Sequence, residues 1–369
     1  MAACLVAATL SACTGITPSH AEDAGPHDAG APDAGPPLPM TDAGTITALA
    51  LGQDNPTNLV LQNGTLYWTN TDDPGTVVSL PVAGGTPTTI ASGRHQPSGL
   101  AVDAESVYWL DYGTMTGTGA NATYNNDGAV LKAPLAGGSV VTLASSLPAP
   151  FNIAIDASSV YWVDSGMTAD DGAVLSVPIG GGAIATLVSG QESPLGIWVD
   201  ATNVYWTNGG TFNGTTNLYD KDGSVVQAPI AGGAPVTIAS NQDSPGFVIS
   251  DETRVYWTNE GNLDSSGNVV AKSGSVVEAP IGGGTPVTLA TTQDWASGLV
   301  LSGGSLVWAD TGTTTQDGTL SEAPAGGGTP QIIVSSGIAP VDLVVSGTDI
   351  YWTDFGTGNK DGAVFKLAR

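Results

Sequence analysis

Positive charge is nearly missing from this sequence: 8 Lys and Arg face 34 Asp and Glu, a net charge of −26 over 369 residues. Nucleic acids and anionic lipid head groups are held by basic patches, so neither is expected as a partner of the folded chain. Cysteine is scarce as well. Both copies, Cys4 and Cys13, lie at the start, which leaves the remainder without disulfide or thiol chemistry. Of three histidines, His20 and His27 sit in the same leader and only His95 lies beyond it. No Gly-x-Ser-x-Gly elbow occurs either, so the usual nucleophile–base pairs are missing. The apolar stretch Met1 to Ala12 falls short of the roughly 18 residues that a membrane-spanning helix needs.

What is present reads as strands and turns. Gly at 51 residues, nine Trp, abundant Thr and Ser, and only 11% charged residues against about 25% in an average domain favour β-structure over helix. The expectation is an all-β chain, long enough for a sizeable core.

The leader divides in two. Leu10-Ser11-Ala12-Cys13 resembles a bacterial lipobox, which implies that residues 1–12 are a signal peptide, cut before Cys13, and that Cys13 carries the lipid. A signal peptide opens with Lys or Arg and none precedes Cys13, so the true translation start is expected upstream of Met1. Residues 13–44, rich in Asp, Ala, Gly and Pro without apolar periodicity, are expected to form a disordered tether. Its repeated Asp-Ala-Gly is similar to the tethers of myxobacterial lipoproteins. Thr14 stands where an Asp would signal inner-membrane retention, so the resemblance implies the outer membrane, on its periplasmic or cell-surface side.

Residues 45–369 are repetitive. Tyr67-Trp68, Tyr108-Trp109, Tyr161-Trp162, Tyr205-Trp206, Tyr256-Trp257, Val307-Trp308 and Tyr351-Trp352 lie 41, 53, 44, 51, 51 and 44 residues apart. Seven units of about 46 residues match the blades of a β-propeller. Each unit carries four short apolar runs, A to D, too short for helices. Gly pairs such as Gly137-Gly138 join C to D and supply the positive φ of a tight hairpin, while Pro81, Pro134, Pro178, Pro229, Pro280 and Pro324 end strand C. The last unit lacks a D strand and Thr45 to Leu51 aligns with one. The expected fold is therefore a seven-bladed β-propeller of four-stranded blades, closed by the N-terminal strand 45–51 in the C-terminal blade, without free ends and monomeric.

Tyr351-Trp352-Thr353-Asp354 reads YWTD, with YWTN at Tyr67, Tyr205 and Tyr256, YWLD at Tyr108 and YWVD at Tyr161. These repeats resemble the class B repeats of low-density lipoprotein receptors. The family closes with six blades, whereas seven units are counted here, and its fold does not fix a function.

Strand alternation sends Tyr and Trp to opposite blade faces, where large aromatics bind one blade to the next; seven equivalent copies suit packing better than a ligand cage. Asn70, Asp111, Asp164, Asn208, Asn259, Asp310 and Asp354, two places after each Trp, are expected to bond nearby backbone donors, as the resembling family implies. The A–B loops are uniformly short, but the B–C loops vary, with sixteen residues at 112–127 and seven at 165–171. Variable loops on a rigid frame carry function, which marks that face as the candidate site.

Two columns fall at its channel mouth. Two places before the Pro that opens strand A stand Asp54, His95, Pro148, Glu192, Asp243, Asp294 and Ile338; two places after it stand Asn58, Gly99, Asn152, Gly196, Phe247, Gly298 and Asp342, with Trp295 alongside. Their oxygens suit Ca²⁺ as a possible cofactor, or a protein or carbohydrate ligand. The expected function is a non-catalytic binding or scaffolding module. The alternative is a metal-dependent hydrolase or lyase resembling the gluconolactonase-like propellers, with Asn152, Glu192 and Asp342 holding the metal.

Overall fold

The repeat is built from local turns outward. At the A–B turn of the second unit, the amides of Glu105 and Ser106 both donate to Asp103 Oδ1 at 2.7 Å, and the Tyr108 hydroxyl donates to Oδ2 at 2.8 Å. Asp156, Asp200 and Asp251 repeat the arrangement with Tyr161, Tyr205 and Tyr256. An Asp whose side chain bonds its own backbone two and three residues on fixes a turn, and here it also holds the tyrosine that strand B sends toward the next blade. At the C–D turn, the Gly137 amide donates to the Pro134 carbonyl at 3.0 Å, and Gly137 and Gly138 take φ of 84° and 150°.

The computed structural model describes residues 44–116, 123–166, 170–213, 218–219, 221–251, 253–261, 270–313, 317–335, 337–357 and 360–369. The expected signal peptide 1–12, Cys13 and the expected tether up to residue 43 lie outside the described residues. The described residues form strands and no helix.

Seven four-stranded antiparallel sheets stand in a ring, a seven-bladed β-propeller. Blade 1 shows the order from the axis outward: Pro56–Gln62, Thr65–Asn70, Gly75–Pro81 and Thr88–Arg94 as strands A to D. Blades 2 to 6 occupy 97–147, 150–191, 194–242, 245–293 and 296–335 in the same order. Blade 7 takes Pro340–Ser346, Asp349–Asp354 and Gly362–Ala368 as A to C and completes itself with Thr45–Gln53, which pairs antiparallel from Thr45 opposite Ala368 to Gln53 opposite Gly362. The inner strands contact one another in sequence and close from blade 7 onto blade 1.

Seven apolar clusters fill the seven blade junctions. Tyr67 of blade 1 meets Trp109 of blade 2, Tyr108 meets Trp162, and the series runs round to Tyr351 with Trp68. All seven indoles have 0% exposure. At the junction of blades 6 and 7, Val307 replaces the tyrosine and Phe365, stacked 5.3 Å from Trp352, occupies the space, keeping the core filled.

The loops hold two features that the repeat pattern does not announce. Hairpins of two-residue strands stand within the B–C loops of blade 2 (Met115–Thr116 with Thr123–Tyr124) and blade 4 (Phe212–Asn213 with Leu218–Tyr219). Every strand A also carries a register shift next to its opening residue, as between Thr57 and Val60 or Pro340 and Asp342. A bulge re-aims the side chains beside it, and here those residues lie at the channel mouth.

Deleting Thr45 to Leu51 strips strand C of blade 7 of its partner and exposes the pocket of the buried Ile46 and Ala50. The expected loss is on the order of several kcal/mol, read as a lower urea midpoint. A midpoint equal to that of the parent would contradict this closure.

Candidate functional site

In all seven blades, the residue three places after Trp donates its amide to the carbonyl of the residue before the strand-A opening. The series runs Thr71 to Asn55, Tyr112 to Gln96, Ser165 to Ala149, Gly209 to Ser193, Glu260 to Ser244, Thr311 to Trp295 and Phe355 to Ala339, at 2.9–3.3 Å. This bond ties the start of each B–C loop to the end of the preceding D–A loop. Side chains from both segments therefore converge on one mouth.

Together with the openings of the A strands they enclose a cavity of about 140 Å³. Its apolar wall is Phe151, Leu195, Phe247, Trp295, Val341 and Phe355; polar groups come from Asn58, Asn152, Glu260 and several Ser and Thr. Asn58 donates to Thr57 and Thr69 Oγ1 at 2.9 and 3.1 Å, and Asn152 Oδ1 accepts from the Ile153 amide at 2.8 Å. Trp295 holds a φ of 69°.

The second sequence column therefore reaches the cavity through Asn58, Asn152, Gly196 and Phe247, and Trp295 joins it. Asp342 stands apart from the wall. Its Oδ2 accepts from the Leu59 amide of blade 1 and its Oδ1 from the Leu343 amide, both at 2.8 Å; burial pushes its carboxyl up to about 7. It links the last inner strand to the first.

The first column does not line the cavity. Asp54 pairs with Lys360 at 2.6 Å and Asp243 with Lys221 at 2.5 Å. Asp294 accepts from the Lys272 amide, Glu192 from Thr211 Oγ1 at 2.6 Å, and His95 Nδ1 lies 3.2 Å from Asp73. Each partner belongs to a B–C loop, so these residues fasten loops. Burial opposes ionisation of Asp54, but its hydrogen bond with Asp72 and the Lys360 ammonium outweigh this and hold it below the usual carboxylate range. Asp72 is pushed up to about 6, first by burial and then by Asp54. Among the described residues no group of three or more His, Cys, Asp or Glu could hold a metal ion. The acids of the first column are thus a set of separate loop contacts.

Glu260 was not anticipated. It is the one acid among the described residues of the cavity wall, and enclosure pushes its carboxyl up to about 8. The signal for it lay in the column three places after Trp, which reads Thr71, Tyr112, Ser165, Gly209, Glu260, Thr311 and Phe355, with a single acid.

No protein family matches the chain, and no curated protein matches it significantly. Among solved structures it is similar to the β-propeller domain of the Trilobed protease from Pyrococcus furiosus, at 9% identity and a TM-score of 0.57, covering 85% of this chain and 94% of that one. It is similar to the computationally designed Ika8 protein at 14% identity and a TM-score of 0.55, covering 87% and 98%. A chain of the nidogen/laminin complex has 19% identity and a TM-score of 0.49, covering 71% and 89%. Likeness at these identities shows the fold alone. That fold is a β-propeller.

The raised Glu260 carboxyl has a consequence for stability. Between about pH 4.5 and about 8 the unfolded chain releases this proton while the folded chain keeps it, so rising pH favours unfolding over that window. Glu260→Gln carries no such proton. Its melting temperature is expected to gain on the parent's from pH 5 to pH 8 and to run parallel above that; a constant difference across the range would show an ordinary carboxyl.

Proposed function

We propose that this protein is a cell-envelope lipoprotein, tethered to the outer membrane through Cys13, whose YWTD-type propeller acts as a non-catalytic binding or scaffolding module at its channel mouth. The observation that carries the reading is the cavity itself. A concave, largely apolar wall with a few converging polar groups is the usual form of a ligand site, and here it is built mainly by the openings of the inner A strands, with Thr71, Glu260, Thr311 and Phe355 from the first B–C loop positions and Trp295 from a D–A loop. Among the described wall residues there is one ionisable side chain, Glu260, and a lone carboxyl without a neighbouring nucleophile or base suits recognition better than turnover. Asn152, Glu192 and Asp342, the metal-site alternative, point to different tasks: a wall position, a loop contact with Thr211 and a pair of backbone amides. A protein or carbohydrate ligand in the envelope fits the mouth.

The ring closes on itself between Thr45 and Ala368, so the fragment 45–369 carries the whole propeller. Immobilised, it is expected to retain a specific envelope component, and Phe247→Ala combined with Trp295→Ala to lose it. Trp198→Ala, a control at an exposed indole four residues into strand A of blade 4, should keep it. Equal retention by all three would sink the mouth as the binding face.

The tether has its own test. Two or more acyl chains anchor a protein far better than one, so full-length protein with an intact upstream signal is expected in the membrane fraction and Cys13→Ser in the soluble or unprocessed pool. An unchanged distribution would remove the lipobox reading.

A further inference from the structure

Glu260 stands on the cavity wall without a side-chain partner among the described residues. Its backbone is pinned by the 3.0 Å bond to the Ser244 carbonyl, and Gly246 leaves it room: a Cβ there would lie 2.5 Å from Glu260 Oε1. Among the described residues no N–H or O–H donates to its carboxyl. The surroundings are Phe247 on the same strand as Gly246, with Trp295, Phe151 and Phe355 from three other blades. A carboxylate facing aromatic walls with no donor is costly to ionise. A ligand that brings positive charge reverses this, because it gives the carboxylate a charge-assisted hydrogen bond and meets ring faces that attract cations. A neutral polyol supplies donors but no counter-charge. The net charge of −26 also concentrates cations rather than anions at a cleft of this kind.

We propose that the channel mouth binds an organic ammonium group carried on an apolar chain, with Glu260 as its counter-ion and the aromatic wall around its body. The proposal rests on the mouth being the binding face and adds the chemistry it selects. Asp342 has both oxygens on backbone amides, and no other titratable side chain lines the described wall. Glu260 therefore supplies the ligand's counter-charge.

Calorimetric titration with n-butylammonium chloride and with 1-butanol separates charge from apolar bulk. The parent is expected to prefer the ammonium by at least tenfold, and near pH 7 to release protons on binding it, seen as a dependence of the heat on the buffer. Glu260→Gln is expected to lose both the preference and the proton release. Glu260→Thr, a residue that blades 1 and 6 already carry at this position as Thr71 and Thr311, should behave alike and guards against a folding artefact. Acetyl-lysine amide identifies the source: binding as tight as butylammonium points to a lysine of a polypeptide partner, and binding of the free amine alone points to a small metabolite. Equal affinity for butanol, or an undiminished preference in Glu260→Gln, would overturn the ammonium site. If envelope capture is lost with Phe247→Ala and Trp295→Ala but unchanged in Glu260→Gln, the binding face stands and the ammonium chemistry falls.

Discussion

The contact between the tyrosine of one blade and the buried tryptophan of the next sets every other feature of this ring. A propeller closes only if the rotation from blade to blade is the same each time, and a fully enclosed indole in a packed core admits little variation. Trp162 and Trp352 Nε1 have no partner among the described residues, whereas the polar end of the other indoles is satisfied inside the junction. In four junctions a Gln at the end of the preceding D strand does this: Gln53, Gln191, Gln242 and Gln293 accept from Trp68, Trp206, Trp257 and Trp308 at 2.7–3.1 Å. Three of these Gln also accept from Asn70, Asn208 and Asn259. Where the place of the Gln is taken by Leu147 or Gly337, the strand-B residue is Asp164 or Asp354, which accepts the Ala149 or Ala339 amide instead. Arg94 in that place meets Asp111 at 3.4 Å. Asn thus stands two places after Trp in three of the four blades that face such a Gln, while in the fourth Asp310 accepts the Asp294 amide at 2.9 Å.

That dependence explains what could be read from the sequence and what could not. Blade number, strand order and ring closure repeat with the chain, so Trp spacing and the orphan strand 45–51 disclose them. The backbone-donor expectation for the strand-B residue holds for Asp164, Asp310 and Asp354 but not for the three Asn, since a partner on the next blade has no fixed place in a single repeat. The acids Asp54, Asp243 and Asp294 looked like a ring because their partners, Lys360, Lys221 and Lys272, sit in loops of unequal length where column alignment fails. Glu260 escaped for a related reason. Its burial comes from Phe247 and Trp295, distant in sequence, and from a bulge in strand A that no residue type announces.

Six of the eight cationic side chains, Arg94, Lys221, Arg254, Lys360, Lys366 and Arg369, are in ion pairs with acids. Lys132 donates to the Ile179 carbonyl at 2.8 Å and lies over the Tyr108 ring. The scarce positive charge thus serves to hold loops and blades. Exposed pairs of this kind add little stability individually, but they fix where each loop starts, and the uncompensated acids leave the outer field negative.

Seven near-identical blades would give a seven-fold mouth with no preferred orientation for a ligand. Side chains of unequal size break that symmetry at three equivalent positions per blade. Phe247 occupies a column otherwise filled by Gly, Asn or Asp, Phe355 and Glu260 occupy one shared with Ser, Thr, Gly and Tyr, and Trp295 occupies one shared with Asn, Gln, Ala and Ser. Phe247 packs against the edge of the Tyr256–Trp308 junction, but none of these positions supplies the tyrosine or tryptophan of a junction, so they vary without disturbing closure. The frame demands sameness at the blade faces and tolerates difference at the rim, which is why one acid and a few aromatics suffice to turn a symmetric channel into an oriented site.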